Sequence, residues 1–243
     1  MDQARLKAVA SEHASDWLSA VPAASLGLKL DNSSLRVAVG LRLGTKICES
    51  HKCVCGQLVD PWGRHGLSCR NAKGTQSRHS QANDIIKRAL ASCGAPSVLE
   101  PPGLSRSDGK RPDGLTLYPW SNGKNVVWDF TCRDTLAPSH VISTCKGAGK
   151  AAEQAEVTKL STYNDLINNY TIIPVAVETL GSWGPTGKKF ISEIGTRIAE
   201  STGEKRSRYF LFQALSMATQ RGNVASILGT APNVKKMDEI YYL

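Results

Sequence analysis

The sequence predicts a mixed α/β layer fold, a mixed sheet flanked by helices, preceded by a small module stapled by metal. Three observations predict it. Segments of helical and strand-like pattern alternate after residue 78 in the order helix, strands, helix, strand, helices. Two of the strand-like runs are joined by the turn residues Ser121-Asn122-Gly123 and read as a hairpin. Four of the seven cysteines crowd between Cys48 and Cys69, in a stretch with little periodicity.

Residues 4–20 read as a helix, with Leu6, Val9, Ala10, Trp17 and Leu18 on one side and Pro22 beyond its end. Asn32-Ser33-Ser34 is suited to cap a second helix that runs to Leu43 and stops at Gly44. After the cysteine-rich stretch comes a helix from Ser80 to Ser92, with Ile85, Ile86, Leu90 and Ala91 as its apolar face. Ser97 to Glu100 reads as extended before Pro101-Pro102. The hairpin strands are Gly114–Tyr118 and Asn125–Thr131. A helix over 149–168, a β-branched buried strand over Tyr170–Glu178 and helices over 188–200 and 204–220 complete the pattern. In domain terms, 1–47 is expected as a helical linker segment, 48–77 as a zinc module, 78–230 as the main domain and 231–243 as a tail.

Thirty Lys+Arg against twenty-one Asp+Glu leave a net charge of +9, which favours a polyanionic partner. No run approaches the ~18 apolar residues of a membrane span, and the first residues lack the basic and apolar regions of a secretion signal. The expected partner is therefore nucleic acid and not a membrane. The same absence makes the cysteines a metal site plus free thiols instead of a disulfide framework. Cys53, Cys55, His65 and Cys69 offer three thiols and an imidazole, a donor set suited to a closed tetrahedral structural Zn²⁺ site. Cys48 and His51 compete for the same places.

Asp113 follows Arg111-Pro112, and Asp129 follows the apolar run of the second hairpin strand. A carboxylate beside a core needs a partner. Two carboxylates brought to one rim repel each other, and a divalent cation relieves the repulsion. Oxygen donors of this kind suit Mg²⁺ or Mn²⁺. Glu100, on the extended piece before the hairpin, is a further candidate ligand. Arg78, His79 and Arg111 are the expected nucleic-acid contacts, with His79 a possible assistant to the chemistry.

Taken in order, Cys53-Val-Cys55-Gly56, His65-Gly-Leu-Ser-Cys69, Arg78-His79, Arg111-Pro112-Asp113 and Trp128-Asp129 resemble the PD-(D/E)XK nucleases. The resemblance is to one branch in particular, the restriction-like endonuclease at the carboxyl end of site-specific non-LTR retrotransposon proteins. It covers residues 36–180. It implies a restriction-endonuclease-like fold, metal-dependent DNA nicking during integration, a nuclear location, and DNA as partner, with RNA and a reverse-transcriptase module as further candidates. One position departs from the pattern: Thr131 stands where the family carries its lysine. In the retrotransposon branch that lysine can sit on the following helix, which points to Lys159, with Lys146 and Lys150 as rivals. The departure keeps open a nucleic-acid-binding module without catalysis, and an interaction domain organised by zinc.

Overall fold

The structure is a computed structural model that describes residues 1–104, 109 and 111–231; residues 232–243 of the expected tail lie outside the described residues. In chain order the elements are α1 (Asp2–Val9), α2 (Asn32–Leu43), β1 (His51–Lys52), β2 (Leu58–Val59), α3 (Arg64–Ser68) and α4 (Lys73–Ser92). They continue with β3 (Ser97–Leu99), β4 (Gly114–Thr116), β5 (Asn125–Arg133), α5 (Val141–Lys146), α6 (Lys150–Thr162), β6 (Tyr170–Glu178), α7 (Pro185–Thr202) and α8 (Ser207–Leu228). β1 and β2 form a small antiparallel pair. The main sheet has the order β3-β4-β5-β6. Its first three strands are antiparallel neighbours, and β6 runs parallel to β5. A parallel neighbour needs a crossover, which α5 and α6 provide. The fold is thus mixed α/β, with a mixed sheet between helices.

The period-2 alternation of β5 divides its side chains between two layers. Val126, Trp128 and Phe130 enter the larger core with Ile86 and Leu90 of α4, Phe190, Ile191 and Ile194 of α7, and Phe212 and Leu215 of α8. Val127 packs on the other face with Tyr163 and Ile172, and Asp129 shares that parity. Each large side chain removed from water this way contributes roughly 1.5–3 kcal/mol. Pro174 is tolerated in β6 because that strand is the sheet edge.

A second core joins Ala4, Ala8, Trp17, Val37, Leu41, Val59 and Leu67 to Met217, Val224 and Ile227 of α8. Residues 1–47, expected as a linker, are therefore packed. Residues on both sides of 47/48 share this core, and residues 77 and 78 both lie within α4.

Several helix limits differ from expectation. The first helix ends at Val9: the Ser11 hydroxyl donates to the Ala8 carbonyl, and His13 has φ +66°, so 16–19 form a separate 3-10 turn. The cap of α2 is Asp31, whose carboxylate accepts the Ser34 N–H at 2.8 Å. α4 starts two turns early, at Lys73, because Gly74 does not break it; a Cβ at Gly74 would lie 2.2 Å from the Gly222 carbonyl oxygen of α8. α6 stops at Thr162, before the turn-forming Asn164-Asp165. Pro185 opens α7, where its missing N–H costs nothing. α8 runs on to Leu228 because Val224 and Ile227 extend its buried face. Among the described residues no helix is long and apolar enough to cross a membrane.

Candidate functional site

The β4–β5 register sets the site. Gly114 pairs with Trp128, so Asp113 stands one step beyond, beside Asp129. Only glycine fits at 114, where a Cβ would fall 2.0 Å from the Trp128 ring. Asp113 is held by its own strand partner: its N–H donates to the Trp128 carbonyl, and its Oδ2 accepts the Phe130 N–H at 2.6 Å. Its Oδ2 also meets His79 Nε2 at 3.0 Å.

Asp129 is nearly closed off, at 4% exposed. From α6, Lys159 Nζ reaches its Oδ1 at 2.8 Å, and the Tyr163 hydroxyl donates to its Oδ2 at 2.6 Å. Burial and then the negative charge of Asp113 push the Asp129 carboxyl above its usual range, while Lys159 and Tyr163 oppose that rise. The structure thus brings Asp113, Asp129, Lys159 and His79 together, with contributions from β4's approach, β5, α6 and α4.

His79 has a defined orientation. The indole N–H of Trp128 donates to Asn83 Oδ1 at 3.0 Å, and since indole is donor-only this turns the Asn83 amide nitrogen toward His79 Nδ1, 3.4 Å away. In the neutral ring Nδ1 is then the acceptor, and the proton on Nε2 is donated to Asp113. The Asp113 carboxylate raises the His79 pKa above its ordinary 6.5, against the effect of burial. A raised pKa means that the ion pair stabilises the fold fully below pH 6.5 and fades as pH rises through the folded value. We therefore expect His79→Gln, compared with wild type by urea unfolding in EDTA, to lose stability at pH 5.5 and to lose less at pH 8.5. Equal losses at both pH values would remove the imidazolium–Asp113 pair from the account.

Beside His79, Asn83 and Asp113 lies an open cleft of about 390 Å³ whose lining includes Glu100, the backbone neighbour of Asp113. Glu100 is paired with Arg111, and both are exposed. Its carboxylate is thus turned to an arginine at the rim and not to Asp129. Arg78 requires a correction. It is 2% exposed and donates to Asn223 Oδ1 of α8 at 2.6 Å, so it holds α4 to α8 and does not face nucleic acid. Helical periodicity explains the split, because Arg78 and His79 are adjacent and point about 100° apart. Of the rival lysines, Lys150 pairs with Glu153, and Lys146 is the last residue of α5, where its backbone carbonyl accepts from Lys7. Tyr163 and Asn83 were not anticipated. Tyr163 was within reach of sequence reasoning, being four residues after Lys159 on one helix face.

The cysteine-rich stretch forms a second site. β1 and β2 present Cys53 and Cys55 around a tight turn at Gly56, φ +89°, and α3 delivers His65 with Cys69 at its end. The ligand atoms of Cys53, Cys55, His65 and Cys69 all lie within 4.8 Å of one another. Cys53 Sγ and Cys69 Sγ are 3.8 Å apart, and Cys55 Sγ is 3.2 Å from His65 Nε2. A tetrahedron with metal–sulfur bonds of about 2.3 Å has an S···S edge of about 3.8 Å, so the set fits a metal ion such as zinc. Cys48 is not in the set; it is buried beside the Asp60 and Pro61 carbonyls, and burial pushes its thiol up to about 11. His51 is also outside, bound to the Glu49 carbonyl and the Thr230 hydroxyl.

Comparison with protein-family models and with curated proteins gives no match to this chain.

Proposed function

We propose that the chain is a metal-dependent endonuclease with a restriction-like arrangement of its sheet, and that it nicks DNA. The observation that carries the proposal is the approach of Lys159 from α6 to Asp129 beside the Asp113–His79 pair. Two carboxylates and one lysine brought together, with Asp113 lining the cleft, are the groups that phosphodiester hydrolysis needs from a protein. The carboxylates of Asp113 and Asp129 supply hard oxygen donors, and Oδ1 of Asp113 is the oxygen not used by Phe130 or His79. Mg²⁺ or Mn²⁺ bound there would activate water and offset charge on the phosphoryl group.

The protein's own groups have separate tasks in this reading. Lys159, with 28% of its side chain exposed, offers positive charge to a non-bridging oxygen of the scissile phosphate. Tyr163 fixes the rotamer of Asp129, and His79 fixes that of Asp113. The Cys53, Cys55, His65, Cys69 set holds Zn²⁺ and serves structure, since four protein ligands leave no open position. The resemblance to the retrotransposon branch extends the proposal to integration in the nucleus beside a reverse-transcriptase module, with RNA as a second nucleic-acid partner.

Incubation with supercoiled plasmid and Mg²⁺ should convert it to open circles, and EDTA should stop the conversion. A different outcome has a specific observation in its favour. Both oxygens of Asp129 are already partnered and its side chain is 5% exposed, as in a domain that binds DNA without cutting it. Salt-sensitive plasmid binding with no open circles under Mg²⁺ or Mn²⁺ would establish that reading instead.

A further inference from the structure

α6 carries Lys159, yet most of the surface it lays on the sheet is small. Ala152 and Ala155 pack against Ala176, Ala151 is buried at the helix start, and Leu160 near the far end is the one larger apolar side chain that packs on Val127, Tyr163 and Ile172 among the described residues. Alanines present shallow ridges, and each buries little more than a methyl group, so packing alone fixes the first two turns of the helix weakly. Two buried carboxylates provide the missing constraint. Glu178, the last residue of β6, accepts the Ala151 N–H at 2.9 Å and so holds the start of α6 to the sheet. Glu156, 2% exposed, reaches out of α6 and accepts the Gly187 N–H at 2.7 Å and the Thr186 N–H at 3.0 Å.

These bonds stand in for missing caps. α6 and α7 both have glycine at the capping position, Gly149 and Gly184, and neither has a capping side chain of its own. The fit around Glu156 is close: a Cβ at Gly184 would lie 2.3 Å from its Oε1. Lys159 follows Glu156 by three residues, about 4.5 Å along the helix axis. A displacement of the Glu156 anchor is therefore passed on to the lysine with little room for it to be absorbed.

We propose that Glu156 is a positioning residue: by fastening α6 to the first turn of α7, with Glu178 fastening its other end to β6, it sets where the Lys159 amine stands relative to Asp129. This rests on the nuclease reading for its catalytic consequence but not for its geometry, and the test separates the two.

The variant is Glu156→Gln in the full chain, which keeps the size of the side chain and removes one of two acceptors. Well below its melting temperature, it should nick plasmid under Mg²⁺ with kcat at least about tenfold lower, while KM for DNA stays nearly unchanged. The second readout needs no activity. Acylation of Lys159 by acetic anhydride, followed by mass spectrometry, should run about threefold faster in the variant, because the amine is released from its ion pair. A purely structural role would lower Tm and leave both kcat and Lys159 labelling at wild-type values, and that result overturns the proposal. If wild type does not nick, the nuclease reading fails and the labelling rates alone decide the positioning role. If the Gln variant does not fold, Thr186→Pro removes one donor from the α7 side with the carboxylate intact, and is judged by the same two readouts.

Discussion

Asp129→Asn is expected to lower the rate of DNA nicking by at least about a thousandfold while the protein stays folded. The substitution keeps the shape of the side chain and an oxygen for the Tyr163 hydroxyl, but removes the charge that pairs with Lys159 and would hold a cation. Stability should change little. The carboxylate is buried at 4% exposed, and burial has already raised its pKa, so its ionised form is costly to keep. Against that gain, Lys159 loses its counter-ion, but its partly exposed chain can turn to water. The two effects oppose, and urea unfolding should differ from wild type by no more than about 1 kcal/mol. DNA affinity should hold or improve, since the negative charge that pairs with Lys159 has been removed. Single-turnover cleavage at wild-type rate would show that Asp129 serves only to neutralise Lys159.

Cys69→Ser should have the largest effect on stability. Cys69 lies against Cys53 and closes the four-residue set, and it is also part of the core that α8 completes. Structural zinc contributes folding free energy directly, because the unfolded chain does not present the site. Metal analysis should find about one zinc per chain in wild type and none in the variant. Tm should fall by at least about 10 °C. The loss should spread beyond the module. Gly66 of α3 sits against the backbone of Ile227, with 2.8 Å from a Cβ placed there to Ile227 Cα, and α4 begins four residues after Cys69. Well-folded wild-type protein without zinc would contradict this account of residues 48–77.

The parts of the fold that were legible are those where a local pattern and the final packing agree. The turn residues before Asn125 and the apolar run after it marked the hairpin, and the β-branched run marked β6, because these features are imposed by the sheet itself. The early start of α4 was not legible. Gly74 and the polar residues after it read as loop until α8 is placed against them. Arg78 failed for the same reason: an arginine beside a histidine suggests phosphate, and only the position of Asn223, far along the chain, shows that it is turned inward. The cysteine and histidine set that could hold a metal narrows from six candidates to four in three dimensions, where Cys48 and His51 find backbone and hydroxyl partners. Lys159 and Tyr163 lie on one face by helical periodicity, but that this face meets Asp129 depends on the α6 crossover and its two carboxylate anchors.

The most direct test of the central proposal compares wild type with Asp113→Ala in one supercoiled-plasmid assay under Mg²⁺, with DNA binding measured in parallel. Asp113 lines the cleft, and its nearest partners are a histidine and a backbone N–H, so its loss should leave the surface that meets DNA largely intact. The expected result is open-circle product from wild type, none from Asp113→Ala, and similar DNA affinity for both. Nicking by Asp113→Ala at the wild-type rate, or no nicking by wild type with either Mg²⁺ or Mn²⁺, would contradict the assignment of Asp113, Asp129 and Lys159 as a nuclease centre.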